Sequence, residues 1–387
     1  MWPSSKTSWI QLNNDMIDKY LLFPYYLTLK LRDRYYRRRK AAGADVPTLC
    51  IGNVTVGGTG KTPHVEMVLD LLQQSETWSG RSLAVLSRGY KRDSTGFQQV
   101  IAAGSAEMFG DEPLQIKKKY PGVTVAVDEN RVEGCDLLAH PDKLSDRKYA
   151  KKCWNRDFPP AEYIVLDDAY QYRRLRATRN VVLVNWNRPV HKDLLLPLGR
   201  LRDLPERVFD ADAVIVTKCP AELDHTEKVR FVEEMGFTQY LASACTATAP
   251  NGRQMLVFFS TVRYGAIRGV YSTSEPRFSY AKKVAVLSGI ADDAPLRAWL
   301  SDSYKIVKRF SFPDHHRFTW KDINKLQELV DKNPTLAIAT TEKDAQRLLD
   351  YSGMPESLRE RLFYVPITVE FLSEEERETF TDLITNL

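Results

Sequence analysis

The chain has 387 residues, of which 43% are hydrophobic and 27% are charged. This length and balance predict a globular protein of two domains and exclude a disordered or fibrous chain. The five cysteines show no CxxC spacing, which argues for reduced thiols and against a disulfide framework or a zinc site. The net charge of +5 is concentrated, because Lys30–Lys40 contains seven basic residues and one acid. We therefore expect no nucleic-acid partner for the chain as a whole.

The first segment, residues 1–45, is predicted to be helical and to associate with a membrane surface. Tyr20–Leu29 carries no charge, and the basic stretch Lys30–Lys40 follows it directly. Aromatic side chains favour the headgroup level of a bilayer, and cations favour anionic lipid. Pro24 is expected to begin the helix, because proline is tolerated in a first turn. The alternative is a helix docked on the protein with a solvated basic face. We predict neither a spanning helix of about 20 apolar residues nor a secretory signal.

Short apolar strands alternate with helices across residues 46–244, which predicts a doubly wound α/β domain. Continuous apolar runs are what a parallel sheet requires when both of its faces are covered. The first strand is followed by a predicted helix at His64–Leu72, where apolar residues recur with helical spacing. The expected strands are Thr48–Ile51, Leu83–Leu86, Val123–Val127, Tyr163–Leu166, Val181–Val184 and Ala213–Val216.

A second, smaller α/β domain is predicted for residues 281–387, joined to the first by a two-stranded linker over residues 245–280. The linker strands are expected at Leu256–Thr261 and Gly265–Ser272, in an arrangement that could be a hairpin. Within the second domain, the expected strands are Val284–Leu287, Ile306–Phe310, Leu336–Ala339 and Leu362–Val369, and the expected helices are Trp320–Asp331, Lys343–Leu349 and Ser373–Ile384.

The strongest chemical signal is a glycine-rich run between the first predicted strand and its helix, which is the context of a P-loop. Glycines let backbone N–H groups approach phosphate oxygens, and a helix N-terminus favours an anion. Lys61 is expected to contact the β- and γ-phosphates of a nucleoside triphosphate, and Thr62 to bind Mg²⁺. The general pattern has glycine where this chain has Thr55. The residues assigned to the triphosphate are Thr55, Val56, Gly57, Gly58, Thr59, Gly60, Lys61 and Thr62.

A second signal is the apolar strand Tyr163–Leu166, which is followed directly by two acids. P-loop enzymes place a carboxylate near Mg²⁺ in this way, so either Asp167 or Asp168 could bind the metal directly or through water. The alternative is that one of the two aspartates caps a helix.

Two further clusters contain acids that could take part in proton transfer. Gly110–Pro113 contains Asp111 and Glu112, and Phe312–His316 places an acid beside two histidines. In a kinase, such a group can accept or orient the proton of the acceptor hydroxyl. Each cluster could also be an ordinary loop.

Eight motifs, in order along most of the chain, resemble the tetraacyldisaccharide 4′-kinase family of lipid A biosynthesis. Threonine at position 55 is itself common in that family. The family usually has glycine, phenylalanine and histidine where this chain has Ala169, Tyr170 and Tyr172, so a histidine role at position 172 cannot be carried over. The motifs are Gly52–Pro63, Leu86–Tyr90, Gly110–Pro113, Leu166–Arg174, Leu196–Arg202, Val216–Lys218, Phe312–His315 and Thr341–Asp344.

The resemblance implies an ATP-dependent lipid kinase that phosphorylates the 4′-hydroxyl of tetraacyldisaccharide 1-phosphate and forms lipid IV-A. It implies that Asp111 is the base near that hydroxyl and that His315 forms a dyad with it across the interdomain cleft. Arg202 would help to bind phosphate. Mg²⁺ would be supported, besides Thr62, by Glu112, Asp167 and Asp168. The expected location is the cytoplasmic face of the bacterial inner membrane, where the chain would act as a peripheral monomer.

Two rival functions fit part of the same pattern. A nucleotide switch or partitioning ATPase would share the P-loop, the acidic strand end and a membrane-seeking helix, but it would need no acid–histidine pair on separate domains. A soluble kinase of a small metabolite would have an N-terminal helix that is merely docked. The identity of a labelled product separates these functions from a lipid kinase.

Overall fold

The computed structural model describes residues 9–150, 153–290, 292–314 and 316–387, with side chains described from residue 22 onward. The helices within these ranges are α1 (Trp9–Arg37), α2 (Lys61–Gln74), α3 (Ala106–Phe109), α4 (Asp111–Lys119), α5 (Arg131–Ala139), α6 (Arg147–Ala150), α7 (His225–Glu234), α8 (Pro276–Ser279), α9 (Ala294–Ser303), α10 (Trp320–Asp331), α11 (Glu342–Leu349), α12 (Glu356–Arg359) and α13 (Glu374–Thr385).

The strands form two sheets. They are β1 (Thr48–Gly52), β2 (Leu83–Ser87), β3 (Gln98–Gln99), β4 (Thr124–Val127), β5 (Tyr163–Asp167), β6 (Arg179–Asn185), β7 (Ala213–Thr217), β8 (Thr238–Leu241), β9 (Thr246–Thr248), β10 (Gln254–Tyr264), β11 (Arg268–Gly269), β12 (Lys283–Ser288), β13 (Lys305–Ser311), β14 (Ala337–Thr341), β15 (Leu362–Val365) and β16 (Ile367–Phe371).

The larger sheet has the order β3-β4-β2-β5-β1-β6-β7-β10-β9-β8, and β16 also pairs with β10. Every pairing from β4 to β10 is parallel, and helices cover both faces. This confirms the predicted fold class of a doubly wound sheet with a P-loop. Because β1 lies between β5 and β6, the loop after β1 and the acids at the end of β5 meet at one edge of the sheet.

The smaller sheet has the order β11-β15-β14-β12-β13, and its four longer strands are parallel. Separate apolar clusters cover its two faces. One cluster includes Leu326 and Leu348, and the other includes Leu296 and Leu300. The second α/β unit therefore has its own core, as its sequence pattern predicts.

The two strands predicted for the linker do not form a hairpin with each other. β10 extends the larger sheet, pairing first with β7 and then, from Ser260 onward, with β16. β11 instead pairs with β15 in the smaller sheet. The predicted strand Leu362–Val369 is likewise divided at Pro366 into β15 and β16, because proline cannot donate to a continuous ladder. The chain consequently passes between the sheets twice.

The C-terminal helix α13 packs on the larger sheet. Phe380 lies edge-to-face against Phe258, with 5.4 Å between ring centroids. The Tyr163 hydroxyl donates to the carbonyl of Ile384 at 3.0 Å.

The division of the chain at residues 45, 244 and 280 stays a prediction.

The N-terminal helix α1 does not begin at Pro24, as the sequence suggested, but runs through it. A proline inside a helix has no N–H group and so removes one backbone hydrogen bond. Here tertiary contacts hold the helix on both sides of Pro24. Leu22 and Leu29 are buried in the core of the larger sheet. The Tyr25 hydroxyl donates to the carbonyl of Arg202 at 3.1 Å. Among the described residues, no helix combines the length and apolarity needed to cross a membrane.

Candidate active site

The loop between β1 and α2 has the backbone of an anion-binding turn. Gly57, Gly58 and Gly60 have φ of 64°, 75° and 81°, the left-handed region that glycine alone enters without strain. Gly60 occupies the N-cap of α2 and Lys61 its first turn. The first N–H groups of a helix have no partner within it, and together with the helix dipole they favour bound phosphate.

The first half of this loop is held by the chain segment around residue 201. Thr55 forms an antiparallel bridge with Leu201, and the N–H of Val56 donates to the carbonyl of Arg200 at 2.8 Å. Arg200 also lies near the loop glycines, since its guanidinium is 3.9 Å from the position that a Cβ on Gly58 would occupy. The segment therefore brings a cation beside the phosphate-binding turn.

The second half of the loop is held from inside the protein. Asn53 donates to the Thr59 hydroxyl at 2.6 Å. His64 is fully buried, and its Nδ1 donates to the carbonyl of Gly60 at 2.7 Å while Nε2 lies 3.0 Å from the Ser260 hydroxyl. Burial lowers the pKa of His64 to about 4. This histidine is consequently neutral at physiological pH, and its two hydrogen bonds link the loop to β10.

A cavity of about 450 Å³ separates the P-loop from the second α/β unit. Its walls on the nucleotide side include Gly58, Thr59, Gly60, Thr62, Asn185, Arg200 and Lys218, and those on the other side include Asp314, Thr341, Glu342 and Lys343. Glu112 also lines the cavity. A cleft of this size at the end of parallel strands, with cations and loop amides in its wall, suits a nucleoside triphosphate.

The two acids after β5 occupy different environments. Asp167 is buried, and one of its oxygens accepts from the Ser87 hydroxyl at 3.0 Å. Burial, reinforced by Glu112 and Asp168, raises the pKa of Asp167 to about 7. Asp168 lies 3.7 Å from the ammonium group of Lys61. Burial acts to raise the pKa of Asp168 as well, but the attraction of Lys61 and Arg202 lowers it below its ordinary value.

Arg202, predicted to bind phosphate, forms hydrogen bonds with Asp168 and Asn53 in this structure. Its guanidinium donates to both oxygens of Asp168, one of them at 3.1 Å, and to the Asn53 side chain at 2.5 Å. Arg202 thereby links the acidic strand end to the start of the P-loop. A direct contact between Arg202 and phosphate stays a prediction.

The oxygen groups at this edge of the sheet fit a magnesium ion. The second oxygen of Asp167, Oδ1, is buried and has no hydrogen-bond partner among the described residues. Thr62 lies in the first turn of α2 and lines the same cavity. Carboxylate and hydroxyl oxygens are the ligands that Mg²⁺ prefers, and a divalent cation would keep Asp167 ionised despite its burial.

Asp111 and Glu112 begin α4 and reach across to the second α/β unit. Arg347 donates through Nε and Nη2 to one oxygen of Asp111, at 2.8 and 2.6 Å. Lys343 lies 3.0 Å from Glu112. Both cations are on α11, so two parallel ion pairs join α4 to α11 across the cleft. Glu112, predicted to lie near the metal, thus both lines the nucleotide cavity and pairs with Lys343.

His315, predicted to form a dyad with Asp111, lies outside the described residues. The preceding Asp314 faces the same cluster, 3.5 Å from Lys343 and 3.8 Å from Arg347. The following His316 is 3.0 Å from Asp322. The motif therefore approaches Asp111 at Asp314, and the dyad stays a prediction.

Two of the three departures from the usual family motif, Tyr170 and Tyr172, form local contacts. The buried Tyr170 packs closely on Gly52. A Cβ added to Gly52 would lie only 2.5 Å from the Cβ of Tyr170. Its hydroxyl donates to the carbonyl of Arg207 at 2.5 Å. Tyr172 donates to the Asn130 side chain at 2.8 Å. Both tyrosines thus act through neutral hydrogen bonds.

Sequence reasoning assigned no role to Arg347, Arg200 or Lys218. Arg200 and Lys218 lie within motifs that support the family resemblance. Their residue types alone do not indicate that both line the nucleotide cavity. Arg347 lies three residues beyond the motif Thr341–Asp344, on the same helix. Only the packing of α11 against α4 identifies it.

A family model described as "Tetraacyldisaccharide-1-P 4′-kinase", LpxK, matches residues 20–386. The tetraacyldisaccharide 4′-kinase of Phocaeicola vulgatus is 34% identical over 357 residues, covering 91% of this chain and 87% of the relative. That of Parabacteroides distasonis is 35% identical and covers 88% and 85%. The crystal structure of LpxK from Aquifex aeolicus in complex with ATP is 25% identical, has a TM-score of 0.64 and covers 95% of this chain and 99% of its own.

The family match and both relatives extend over most of the chain. The chain belongs to the LpxK family, the ATP-dependent tetraacyldisaccharide 4′-kinases of lipid A biosynthesis.

Proposed function

We propose that this chain transfers the γ-phosphate of ATP to the 4′-hydroxyl of a tetraacylated glucosamine disaccharide 1-phosphate, with Asp111 as the base. The observation that carries the residue assignment is the position of α4. Its first residue, Asp111, contacts Arg347 of the second α/β unit, and its second residue, Glu112, lines the P-loop cavity and pairs with Lys343. An acid at this position can receive the proton that the sugar hydroxyl loses during transfer.

The positive groups around the cavity supply the electrostatic part of the proposal. Phosphoryl transfer needs in-line positioning and neutralisation of the nonbridging oxygens. Lys61 and the amides of Gly57–Gly60 would hold the β- and γ-phosphates. Arg200 lies close enough to the loop to add a further charge. The second unit, which lines the opposite wall, would exclude water that otherwise competes for the γ-phosphate.

Magnesium belongs to the proposal through Thr62 and Asp167. The hydroxyl of Thr62 and the unpartnered oxygen of Asp167 would hold the ion, while Asp168 remains paired with Lys61 and Arg202. Bound Mg²⁺ would neutralise charge on the phosphates. His315 would orient Asp111 or relay its proton.

The outer face of α1 supports binding to a membrane surface. An apolar stripe, defined by Phe23, Leu27, Leu31 and Tyr35, is 44–60% exposed and recurs every four residues along one side of the helix. The exposed basic residues Arg34, Arg38, Arg39 and Lys40 lie at and just beyond the C-terminal end of α1. Docked on the protein by its inner face, α1 could insert this stripe among lipid headgroups. We propose a peripheral monomer on the cytoplasmic face of the inner membrane, where a lipid substrate is accessible.

Transfer of radiolabel from γ-labelled ATP to the disaccharide lipid tests this function. Label in a lipid-soluble product that carries a new 4′-phosphate is the expected result. Label only in free phosphate would support a nucleotide switch or partitioning ATPase. Label in a water-soluble product, formed from a small acceptor and not from the lipid, would support a metabolite kinase.

A further inference from the structure

We infer that Arg347 is a positioning residue that fixes the carboxylate of Asp111 and makes its orientation depend on the approach of the second α/β unit. The inference rests on the proposed function, in which Asp111 is the base. It assigns a role to a residue outside the P-loop, the acidic strand end and the sequence motifs.

The contact between the two side chains is close and shielded. Nε and Nη2 of Arg347 both donate to Oδ2 of Asp111, and the exposed fractions of the two side chains are 5% and 13%. Charge-assisted bonds are stronger than neutral ones, and two donors on one oxygen define its direction as well as its distance. The guanidinium therefore restrains the rotation of the carboxylate about its Cα–Cβ and Cβ–Cγ bonds.

The guanidinium is in turn held by its own unit. Its third nitrogen, Nη1, donates to Asp344 at 2.7 Å and to the carbonyl of Gly289 at 3.2 Å. Asp344 is fully buried, and its other oxygen accepts from the N–H of Gly289 at 2.9 Å and from the Thr341 hydroxyl at 2.7 Å. Gly289 follows β12, and Thr341 ends β14. Arg347 is thus braced against two strands of the smaller sheet, which leaves it little freedom to adjust to Asp111.

This bracing connects the base to the position of the whole second unit. Asp111 belongs to α4 on the larger sheet, whereas Gly289 and Asp344, which hold Nη1 of Arg347, belong to the second unit. The contact forms only when α11 lies against α4. Glu112 and Lys343 form a second ion pair at the same junction. A nucleotide in the cavity between the units would therefore meet a correctly oriented base only in the closed arrangement.

A double-mutant cycle tests this role. The variants are Arg347→Gln, Arg347→Lys, Asp111→Asn and the double variant Arg347→Gln with Asp111→Asn, in the full-length chain. Single-turnover transfer of label from ATP to the lipid gives the rate, and titration with a nonhydrolysable ATP analogue gives nucleotide affinity. Arg309→Gln is the matched control, because it removes another guanidinium–carboxylate pair from the same unit, Arg309–Asp293 at 2.9 Å.

The inference predicts that Arg347→Gln slows transfer by about 10²-fold, as expected for a misplaced catalytic group, while analogue affinity changes less than about threefold. Arg347→Lys, which keeps the charge but not the two-donor geometry, should fall between Gln and wild type. In the Asp111→Asn background, Arg347→Gln should change the rate by less than about threefold, because the group on which it acts is gone. Arg309→Gln should retain the wild-type rate.

Three outcomes overturn the inference. One is a wild-type rate in Arg347→Gln. Another is an equal loss of rate from Arg347→Gln in both backgrounds. The third is a loss of analogue binding together with a lowered unfolding midpoint in both Arg347 variants, which would show a structural role alone. Failure of the proposed base is distinguishable, because it appears as normal turnover in Asp111→Asn itself.

Discussion

Lys61 and Asp168 lie 3.7 Å apart and join the P-loop to the acidic end of β5. The neighbouring Asp167 is more deeply buried than Asp168. It has one carboxylate oxygen without a hydrogen-bond partner among the described residues, and its pKa is raised. Two adjacent carboxylates therefore have separate tasks. Asp168 balances the cations Lys61 and Arg202, and the unpartnered oxygen of Asp167 is the one proposed to bind a metal ion.

Replacing Lys61 by alanine should abolish phosphoryl transfer, because the γ-phosphate loses its point charge and Asp168 loses one of its two cationic partners. The measurement is label transfer to the lipid at saturating ATP, together with the unfolding midpoint. Lys283→Ala, at an exposed position on β12, is the control and should keep full activity. A Lys61→Ala variant that is folded and turns over at the wild-type rate would contradict the P-loop assignment.

Asp111→Asn and His315→Ala should each lower kcat by roughly 10² or more, the range of general-base assistance. Nucleotide should still bind, because neither residue belongs to the loop that holds it. Asp302→Asn removes an exposed acid at the end of α9 and should leave kcat unchanged. Normal turnover in both test variants would remove the proposed base and its partner.

Asp167→Asn should raise the Mg²⁺ concentration required for half-maximal activity more than Asp168→Asn does. The reason is that only Asp167 has a buried carboxylate oxygen without a hydrogen-bond partner among the described residues at this strand end. Titration with Mn²⁺ followed by electron paramagnetic resonance would report affinity without turnover. The opposite order of the two variants would identify Asp168 as the principal ligand.

Replacing Phe23, Leu27 and Leu31 by serine should reduce binding to vesicles that contain anionic phospholipid. A fully buried side chain of this size contributes about 1.5–3 kcal/mol, so partial insertion of three should give at least a tenfold difference in partitioning. Binding should also weaken at high salt, since the basic end of α1 would be attracted to anionic lipid. Tyr280→Ser, at a tyrosine that is 86% exposed on the second unit, provides the control. Equal partitioning of the triple variant and wild type would favour a helix that is only docked.

The buried Glu66 should make the protein less stable as pH rises. Burial raises the pKa of Glu66 to about 7, although Lys119 lies 2.5 Å away and opposes the shift, whereas Glu342 adds to it. Because the pKa in the folded state exceeds the ordinary value of 4.5, the neutral form favours folding and its contribution is lost between about pH 4.5 and 7. Urea unfolding of wild type and Glu66→Gln across this range should show the variant gaining stability relative to wild type. A constant difference would contradict the raised pKa.

The sequence predicted the parts of the fold that depend on local patterns. Apolar runs located the parallel strands, and the glycines after β1 located the anion-binding turn, because both follow from residue type and spacing. The pairing of β10 could not be predicted in this way. A strand of 11 residues that changes partners along its length has the same local pattern as half of a hairpin.

The candidate site shows the same division. Lys61 and Asp111 stood in recognisable motifs, so their chemistry could be predicted before their positions were known. Arg347 could not, since an arginine on an amphipathic helix is ordinarily solvated. Its burial against Asp111 results from the packing of two units whose contact no single segment encodes.

A crystal structure with a nonhydrolysable ATP analogue and Mg²⁺ tests the central claim most directly. The account predicts the triphosphate on the amides of Gly57–Thr62, with Lys61 at the γ-phosphate and the carboxylate of Asp111 facing the side from which a hydroxyl would attack. A nucleotide bound away from this loop, or an Asp111 that opens onto the opposite face of the molecule, would contradict it.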